Sequence, residues 1–264
     1  IGDSFVYGFC VNRENNMATV ISNLTNKKIL NLGMPANGLF LNYATFKEFA
    51  SVGNSNKIFW FINDMDYMNF KAEFSNQVLN KYLNNPNFTQ NLKQKTNETD
   101  IIINDLFKKR YNKLPFQKFL KLQRTFAFIS FHLKFSKYDQ KDFDKKKISQ
   151  ELKINIDKVF LNLKQNIDPN TKVFIIHLPL KNKFVDPNYN DKFKKLTKSY
   201  ALKFDFKFVD LEKSYISNKN PVDLYSKYFG HHNEQGYKIM SEYLASIINN
   251  KLNKFIRSIF FDKK

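Results

Sequence analysis

The sequence predicts an α/β fold in which a parallel β-sheet lies between two layers of helices. Short apolar runs, typical of strands buried on both faces, alternate with longer segments whose apolar residues recur at helical spacing. Such an alternation of strands and helices favours a parallel sheet with helices on both sides. With 264 residues, of which 42% are hydrophobic, the chain is long enough and apolar enough to bury such a core.

The predicted elements follow one another along the chain. The apolar runs predict strands at 29–32, 57–61, 173–178 and 205–209. Apolar residues at helical spacing mark the helices: Met17, Val20, Ile21 and Leu24; Leu41, Ala44 and Phe49; Leu152, Ile156, Val159, Phe160, Leu163 and Ile167; Phe193, Leu196 and Tyr200; Met240, Tyr243, Leu244, Ile247, Ile248 and Leu252. A turn at Asp168-Pro169-Asn170 ends one helix before the strand that follows it.

Between about residues 66 and 150 this alternation fails. The stretch is rich in Asn, Lys and Gln, and it predicts a helical insertion within one domain that spans 1–264. Its aromatic patch, from Phe126 to Phe135, fits three interpretations: a lid over the sheet edge, a helix that touches a membrane, or part of the core. Because no linker composition marks a boundary, we expect a single domain.

The chain carries a formal net charge of +19, from 43 Lys and Arg against 24 Asp and Glu. Arginine, which contacts guanine bases and phosphates in a bidentate manner, occurs only at Arg13, Arg110, Arg124 and Arg257. Because the lysines are spread along the chain, we expect no nucleic-acid partner. Peripheral membrane contact is not expected, and no apolar run reaches the ~20 residues that a spanning helix needs. Cys10 is the only cysteine, so no internal disulfide can form.

Polar and turn-forming residues follow the predicted strands. Ser4 follows the expected first strand, residues 34–38 follow the second, Asn63 and Asp64 the third, and Asp210 the last. Ligands of parallel sheets bind beyond the carboxyl ends of the strands. The sequence therefore predicts a site at this edge of the sheet.

Four short blocks in this order carry the most specific signal. They are Gly2-Asp3-Ser4-Phe5, Asn31-Leu32-Gly33-Met34-Pro35-Ala36-Asn37-Gly38, Asn63-Asp64 and Gly230-His231-His232-Asn233-Glu234-Gln235-Gly236-Tyr237. From Ile1 to about Leu244 they resemble the four signature blocks of the SGNH (GDSL-type) hydrolases, a superfamily of serine esterases and acyltransferases. The final block resembles that of the bacterial branch, which reads glycine-histidine-aromatic-asparagine. The resemblance implies a flavodoxin-like three-layer sandwich.

The resemblance also implies that Ser4 is the nucleophile and His231 its general base. A serine hydroxyl is a weak nucleophile at neutral pH, and imidazole suits the role of its base because its ordinary pKa lies near neutral pH. The implied oxyanion hole consists of the N–H groups of Ser4 and Ala36 and the side-chain amide of Asn63. Ala36 stands where the family has glycine, so a positive φ there would be disfavoured. Ile62 replaces a second glycine.

The family usually has an aspartate two or three residues before the histidine, where this chain has Tyr228 and Phe229. That carboxylate orients the imidazole and stabilises the imidazolium in Ser-His-Asp triads. Asp223 is the nearest upstream carboxylate and the reserve candidate for this role, and Asp210 is a weaker one. We predict a Ser–His dyad whose ring is oriented by a backbone carbonyl, with Asp223 as the alternative.

The other histidines are weaker candidates for the base. His177 lies inside a predicted strand and is expected to be packed there, and His132 lies in the aromatic patch. His232 points away from His231 if the two are consecutive in an extended segment. One cysteine and scattered histidines build no zinc site, and no phosphate-binding loop occurs, so we expect neither a metal nor another cofactor.

The sequence thus predicts a hydrolase that acts through an acyl-enzyme on a carboxylic ester, such as an acetyl or other acyl ester of a small molecule or carbohydrate. Two alternatives stay open: an O-acyltransferase that uses a sugar hydroxyl as acceptor, and a catalytically silent carbohydrate-binding protein of the same fold. The missing acid and the replaced glycines favour the silent protein. Because the chain opens within the first block, we expect a preceding segment, and localisation stays open between the cytoplasm and the envelope of a bacterium.

Overall fold

The computed structural model describes residues 1–51, 55–112, 149–215, 218–227 and 230–249. The described strands are β1 (Lys57–Ile62), β2 (Lys172–His177) and β3 (Lys207–Asp210). The described α-helices are α1 (Ser4–Tyr7), α2 (Met17–Thr25), α3 (Leu39–Thr45), α4 (Asp64–Phe74), α5 (Gln77–Asn84), α6 (Thr96–Asn112), α7 (Gln150–Gln165), α8 (Lys192–Lys203) and α9 (Glu234–Ile248). A π-helical turn, Phe46–Ala50, continues α3. Short 3₁₀ segments cover Arg13–Asn15, Lys181–Phe184, Leu211–Tyr215 and Pro221–Leu224.

The chain divides into two compact units. The first comprises Ile1–Phe88 and Gln150–Lys264, and the second comprises Thr89–Ser149. The described strands belong to the first unit, whereas α6 belongs to the second. The aromatic patch at 126–135, including His132, lies outside the described residues, as do Tyr228, Phe229 and Leu252. The organisation as a single domain with an insertion stays a prediction.

The three strands form a parallel sheet in the order β1-β2-β3. β1 pairs with β2 from Lys57 opposite Lys172 to Ile62 opposite His177, and β2 pairs with β3 from Phe174 opposite Lys207 to His177 opposite Asp210. The β-branched and aromatic residues of β1 and β2 are mostly buried, as expected for central strands covered on both faces. All three strands end at the same edge of the sheet.

The first residues of the chain extend this sheet past β1. The backbone N of Ile1 donates to Phe59 O at 2.8 Å, and the Phe61 N–H donates to Ile1 O at 2.9 Å. Gly2 in turn forms a single parallel bridge with Gly33. The chain therefore leaves the sheet at Gly2, and the residue after next is Ser4 at the same edge.

The predicted strand at 29–32 is wrong, because pairing on this side of the sheet is confined to Gly33. The Asn31 side chain explains the difference. Its Nδ2 donates to Val6 O at 2.9 Å and its Oδ1 accepts the Gly33 N–H at 2.8 Å, so side-chain bonds replace a strand ladder. The predicted strands at 57–61, 173–178 and 205–209 are confirmed, with small shifts of their ends.

Helices cover both faces of the sheet. On one face, the buried residues of α2 and α9 pack with Phe61, Phe174 and Ile176. On the other face, Trp60 stacks on Phe160 of α7 with a centroid distance of 6.1 Å, and α3 and α8 pack beside α7. Side chains of a strand point alternately to opposite faces, so β1 supplies both layers. The fold is the predicted three-layer α/β/α sandwich. Within the described residues, no helix is long and apolar enough to cross a membrane.

Candidate active site

Ser4 is the first residue of α1, directly after the segment that pairs with β1. The Asp3 carboxylate caps this short helix, since its Oδ1 accepts the Phe5 N–H at 2.9 Å. The helix ends at Gly8, whose φ of +86° is left-handed. A Cβ at Gly8 would also lie 2.8 Å from the Asn16 Cβ, so the turn that follows Ser4 requires glycine.

The structure brings Ser4 and His231 together across 227 residues of sequence. Ser4 Oγ lies 2.8 Å from His231 Nε2, which is hydrogen-bonding distance. The His231 ring also packs against Phe5 and Phe9, with centroid distances of 4.4 Å and 5.4 Å. These aromatic contacts restrict the orientations that the imidazole can adopt beside the serine.

The backbone around His231 is held by a short antiparallel pairing. The Ser226 N–H donates to His231 O at 2.7 Å, and Tyr225 and His232 form an antiparallel bridge. The Asn233 side chain secures the end of this pairing. Its Oδ1 accepts the Gly236 N–H at 3.0 Å and caps α9. These bonds hold the backbone of His231 and His232 beside Tyr225 and Ser226.

The carboxylate proposed as a reserve acid, Asp223, does not contact the imidazole. Its Oδ1 accepts a hydrogen bond from Asn220 Nδ2 at 3.1 Å, and its backbone O accepts one from Asn233 Nδ2 at 2.7 Å. Asp223 and His231 are both described residues, and the structure has no hydrogen bond between them. Asp210, the weaker candidate, forms an ion pair with Lys194 at 3.2 Å.

Asn63 follows β1 and caps α4. Its Oδ1 accepts the Met65 N–H at 2.8 Å, while the Asp66 carboxylate accepts the Asn63 N–H at 2.7 Å, which completes a capping box. The Asn63 Nδ2 donates to Asp3 Oδ2 at 2.9 Å. Asp3 thus links the cap of the serine helix to the Asn63 amide and determines which way that amide points.

The carboxylates around Asn63 are buried and close to one another. Burial raises the pKa of Asp3 to about 6, although hydrogen bonds from Asn63 and the Phe5 N–H lower it. Burial also raises the pKa of Asp66 well above its ordinary value, and the charge of Asp3 adds to that rise. Among the described residues, Asp66 Oδ1 has no hydrogen-bond partner. Burial and the mutual repulsion of the two carboxylates therefore both oppose the ionisation of this pair.

Ala36 lies on the exposed loop between Gly33 and α3, and its φ of +67° is left-handed. This is the conformation that glycine would adopt without strain and that alanine disfavours. Among the described residues, the Ala36 N–H has no hydrogen-bond acceptor, while its O accepts from Asn69 Nδ2 at 3.4 Å. The backbone here follows a glycine-type geometry although the residue is alanine.

The remaining described histidines are packed in the interior. His232 is fully buried with its Nε2 2.5 Å from the Tyr215 hydroxyl, and burial together with the neighbouring His231 lowers its pKa to about 3. His177 is 1% exposed, and its Nε2 lies 3.5 Å from Asp64 Oδ1. Within the described part of the chain, no cluster of His, Cys, Asp and Glu could hold a metal ion.

Sequence reasoning did not find the aromatic and backbone contacts of His231. Phe5 and Phe9 stand four residues apart beside Ser4, but the left-handed Gly8 ends the helix before Phe9, so helical spacing does not predict that both contact the imidazole. The Ser226 N–H has no signal in the sequence, because a backbone contact depends only on the path of the loop.

Comparison with known proteins supports the fold. No protein-family model matches the sequence, and no curated protein matches it significantly. A solved structure described as that of "a putative lipolytic protein of G-D-S-L family from Desulfitobacterium hafniense DCB-2" superposes with a TM-score of 0.50 at 15% sequence identity. The match covers 94% of this chain and 96% of that one. At this identity, the likeness shows that the two proteins share a fold.

Proposed function

We propose that this chain is a serine hydrolase that cleaves carboxylic esters through an acyl-enzyme on Ser4. The observation that carries the proposal is the 2.8 Å separation of Ser4 Oγ and His231 Nε2. A nucleophile and a base within hydrogen-bonding reach are the minimum that serine catalysis requires. The lipolytic description of the G-D-S-L neighbour agrees with this chemistry.

In the proposed mechanism, His231 Nε2 takes the Ser4 proton while Oγ attacks the ester carbonyl carbon. The tetrahedral intermediate then collapses, and His231 gives the proton to the departing alcohol. In the second half of the reaction, His231 takes a proton from water while the water oxygen attacks the acyl carbon. The bond to Ser4 Oγ then breaks and His231 returns the proton to Oγ, which releases the acid and restores the serine. The neighbouring His232 takes no part, since its buried, low-pKa ring stays neutral.

The developing oxyanion needs donors in place before the reaction. We assign this role to the N–H groups of Ser4 and Ala36 and to the Asn63 Nδ2. One proton of Nδ2 is held by Asp3, which leaves the second for the substrate. Removing a single such donor costs about 2.7–4 kcal/mol of barrier in a serine protease.

We propose a dyad in which packing and backbone contacts, rather than a carboxylate, orient the base. The ring contacts Phe5 and Phe9, and the Ser226 N–H holds the backbone of His231. Asp223, which bonds to Asn220, is left outside the catalytic set.

For the substrate we propose a short acyl ester of a small molecule or carbohydrate. Phe9 is 54% exposed while its ring lies 5.4 Å from that of His231, so it offers a flat apolar surface next to the reacting atoms. Such aromatic surfaces line many ligand sites.

The test is turnover of p-nitrophenyl acetate by the purified chain and three variants. Ser4→Ala and His231→Ala should each lower the rate to background, because nucleophile and base act as a unit. Ser199→Ala is the matched control, since Ser199 is an exposed serine whose hydroxyl donates within its own helix. It should keep the wild-type rate. Undiminished hydrolysis by folded Ser4→Ala would refute the proposal.

A further inference from the structure

A buried carboxylate from α4 holds the loop that carries Ala36. Glu73 is 6% exposed, and its two oxygens accept the N–H groups of Gly38 and Phe40 at 2.6 Å and 2.9 Å. These donors open α3, where backbone N–H groups have no partner within the helix. Glycine at the cap position has no side chain to accept them. Glu73 therefore replaces a local cap from a position 35 residues away.

The Glu73 carboxylate lies so close to Gly38 that it leaves no room for a side chain at this position. A Cβ at Gly38 would lie 2.7 Å from Glu73 Oε2 and 2.8 Å from its carboxyl carbon. Any larger residue would push the carboxylate away from the backbone it binds. The close approach of Gly38 and Glu73 thus depends on both residues.

The same helix contacts the loop at a second point and begins at Asn63. Asn69 Nδ2 donates to the O of Ala36, whose φ is positive. Since Asn63 caps the start of α4, one helix connects the two proposed oxyanion donors that lie outside α1: Asn63 at its first turn, and Ala36 through Asn69 and Glu73.

Burying the Glu73 carboxylate costs more free energy than a cap by a neutral side chain would. Burial raises the pKa of Glu73, and in the described part of the chain no Lys or Arg forms an ion pair with it. The charge of Glu73 also raises the pKa of buried Asp66. An Asn or Ser at position 38 would cap α3 without burying a charge. Unlike such a local cap, the Glu73 carboxylate links α4 to the end of the loop at residues 34–38 through hydrogen bonds.

We propose that Glu73 is a positioning residue for the oxyanion hole. By binding the Gly38 and Phe40 N–H groups, it holds residues 34–38 in the conformation that directs the Ala36 N–H toward the substrate carbonyl. This role rests on the proposed hydrolase function. It predicts that loss of the Glu73 carboxylate affects the transition state more than substrate binding.

The test measures kcat and KM for p-nitrophenyl acetate, with circular dichroism melts, in Glu73→Ala, Glu73→Gln and the control Asn76→Ala. The Asn76 side chain caps α5 by accepting two N–H groups. The backbone N–H of Asn76 donates to Glu73 O, a bond that alanine keeps, so the substitution removes a comparable cap outside residues 34–38. Glu73→Ala should lower kcat about 100-fold, as loss of one oxyanion donor does, with KM within about threefold. Glu73→Gln keeps one acceptor and should recover about tenfold of that loss. Asn76→Ala should keep the wild-type kcat.

The outcomes separate this proposal from the function on which it rests. Unchanged kcat in either folded Glu73 variant, with an active wild type, overturns the positioning role alone. A fall in the kcat of Glu73→Ala that only follows its folded fraction also overturns the positioning role. If Glu73→Ala does not fold, Glu73→Gln decides. A wild type without Ser4-dependent turnover overturns both proposals.

Discussion

Replacing Ala36 by glycine should stabilise the protein. The left-handed conformation raises the free energy of a residue with a Cβ by roughly 1–2 kcal/mol, and Ala36 adopts it with a φ of +67°. Because its side chain is exposed, glycine loses no packing there. The greater freedom of glycine in the unfolded chain costs about 0.4–1 kcal/mol. The balance is a gain of about 0.5–1 kcal/mol, or about 1–3 °C in Tm for a chain of this size.

The assay is thermal denaturation followed by circular dichroism, with Asn26→Gly as the control. Asn26 also has a positive φ, of +51°, at the end of α2, but asparagine tolerates this conformation, so its replacement should leave Tm unchanged or slightly lower. Hydrolysis by Ala36→Gly should stay within about twofold of wild type, because the backbone N–H is retained. A lower Tm for Ala36→Gly, with Asn26→Gly unchanged, would refute the strain argument.

Three further substitutions test other parts of the account. Burial lowers the pKa of His232 from 6.5 to about 3, so below about pH 6.5 the unfolded chain binds a proton that the folded chain does not. The wild type should therefore lose stability as the pH falls through this range. In urea titrations between about pH 7 and pH 4, His232→Gln should lose less stability than the wild type. Asp223→Asn should keep kcat/KM within about fivefold, because Asp223 does not contact His231, whereas a triad acid would cost about 10⁴-fold. Gly33→Ala should lower stability by at least about 2 kcal/mol in denaturant unfolding, because its Cβ would lie 2.4 Å from the Tyr7 N.

Much of the fold could be predicted because its central strands are continuous apolar runs. β1 and β2 lie in the interior, and their periodicity follows directly from burial on both faces. The segment 29–32 has the same apolar character, but Asn31 uses its side chain to bind the backbone on either side. The pattern of hydrophobic residues along the sequence cannot predict such a hydrogen bond from a polar side chain.

The site was predictable where strand ends bring residues to one edge, and unpredictable where a single distant side chain makes the contact. The nearness of Ser4 and His231 follows from the order of the blocks along a parallel sheet. Nothing in the sequence connects Glu73 with Gly38, since a cap from 35 residues away has no fixed spacing. The positive φ of Ala36 had only an indirect sign, the glycine at this position in the blocks that the sequence resembles, because alanine itself disfavours that conformation.

The central claim is that His231 activates Ser4 as a nucleophile, and covalent labelling tests it most directly. A fluorophosphonate reacts with an activated serine by forming an O–P bond, with loss of fluoride and transfer of the serine proton to the base. Mass spectrometry of the digested protein should place the phosphonyl group on Ser4 in the wild type. His231→Ala should label at least about 100-fold more slowly, and Ser4→Ala should not label. A folded wild type that stays unlabelled, or that carries the label on another residue, would contradict the claim.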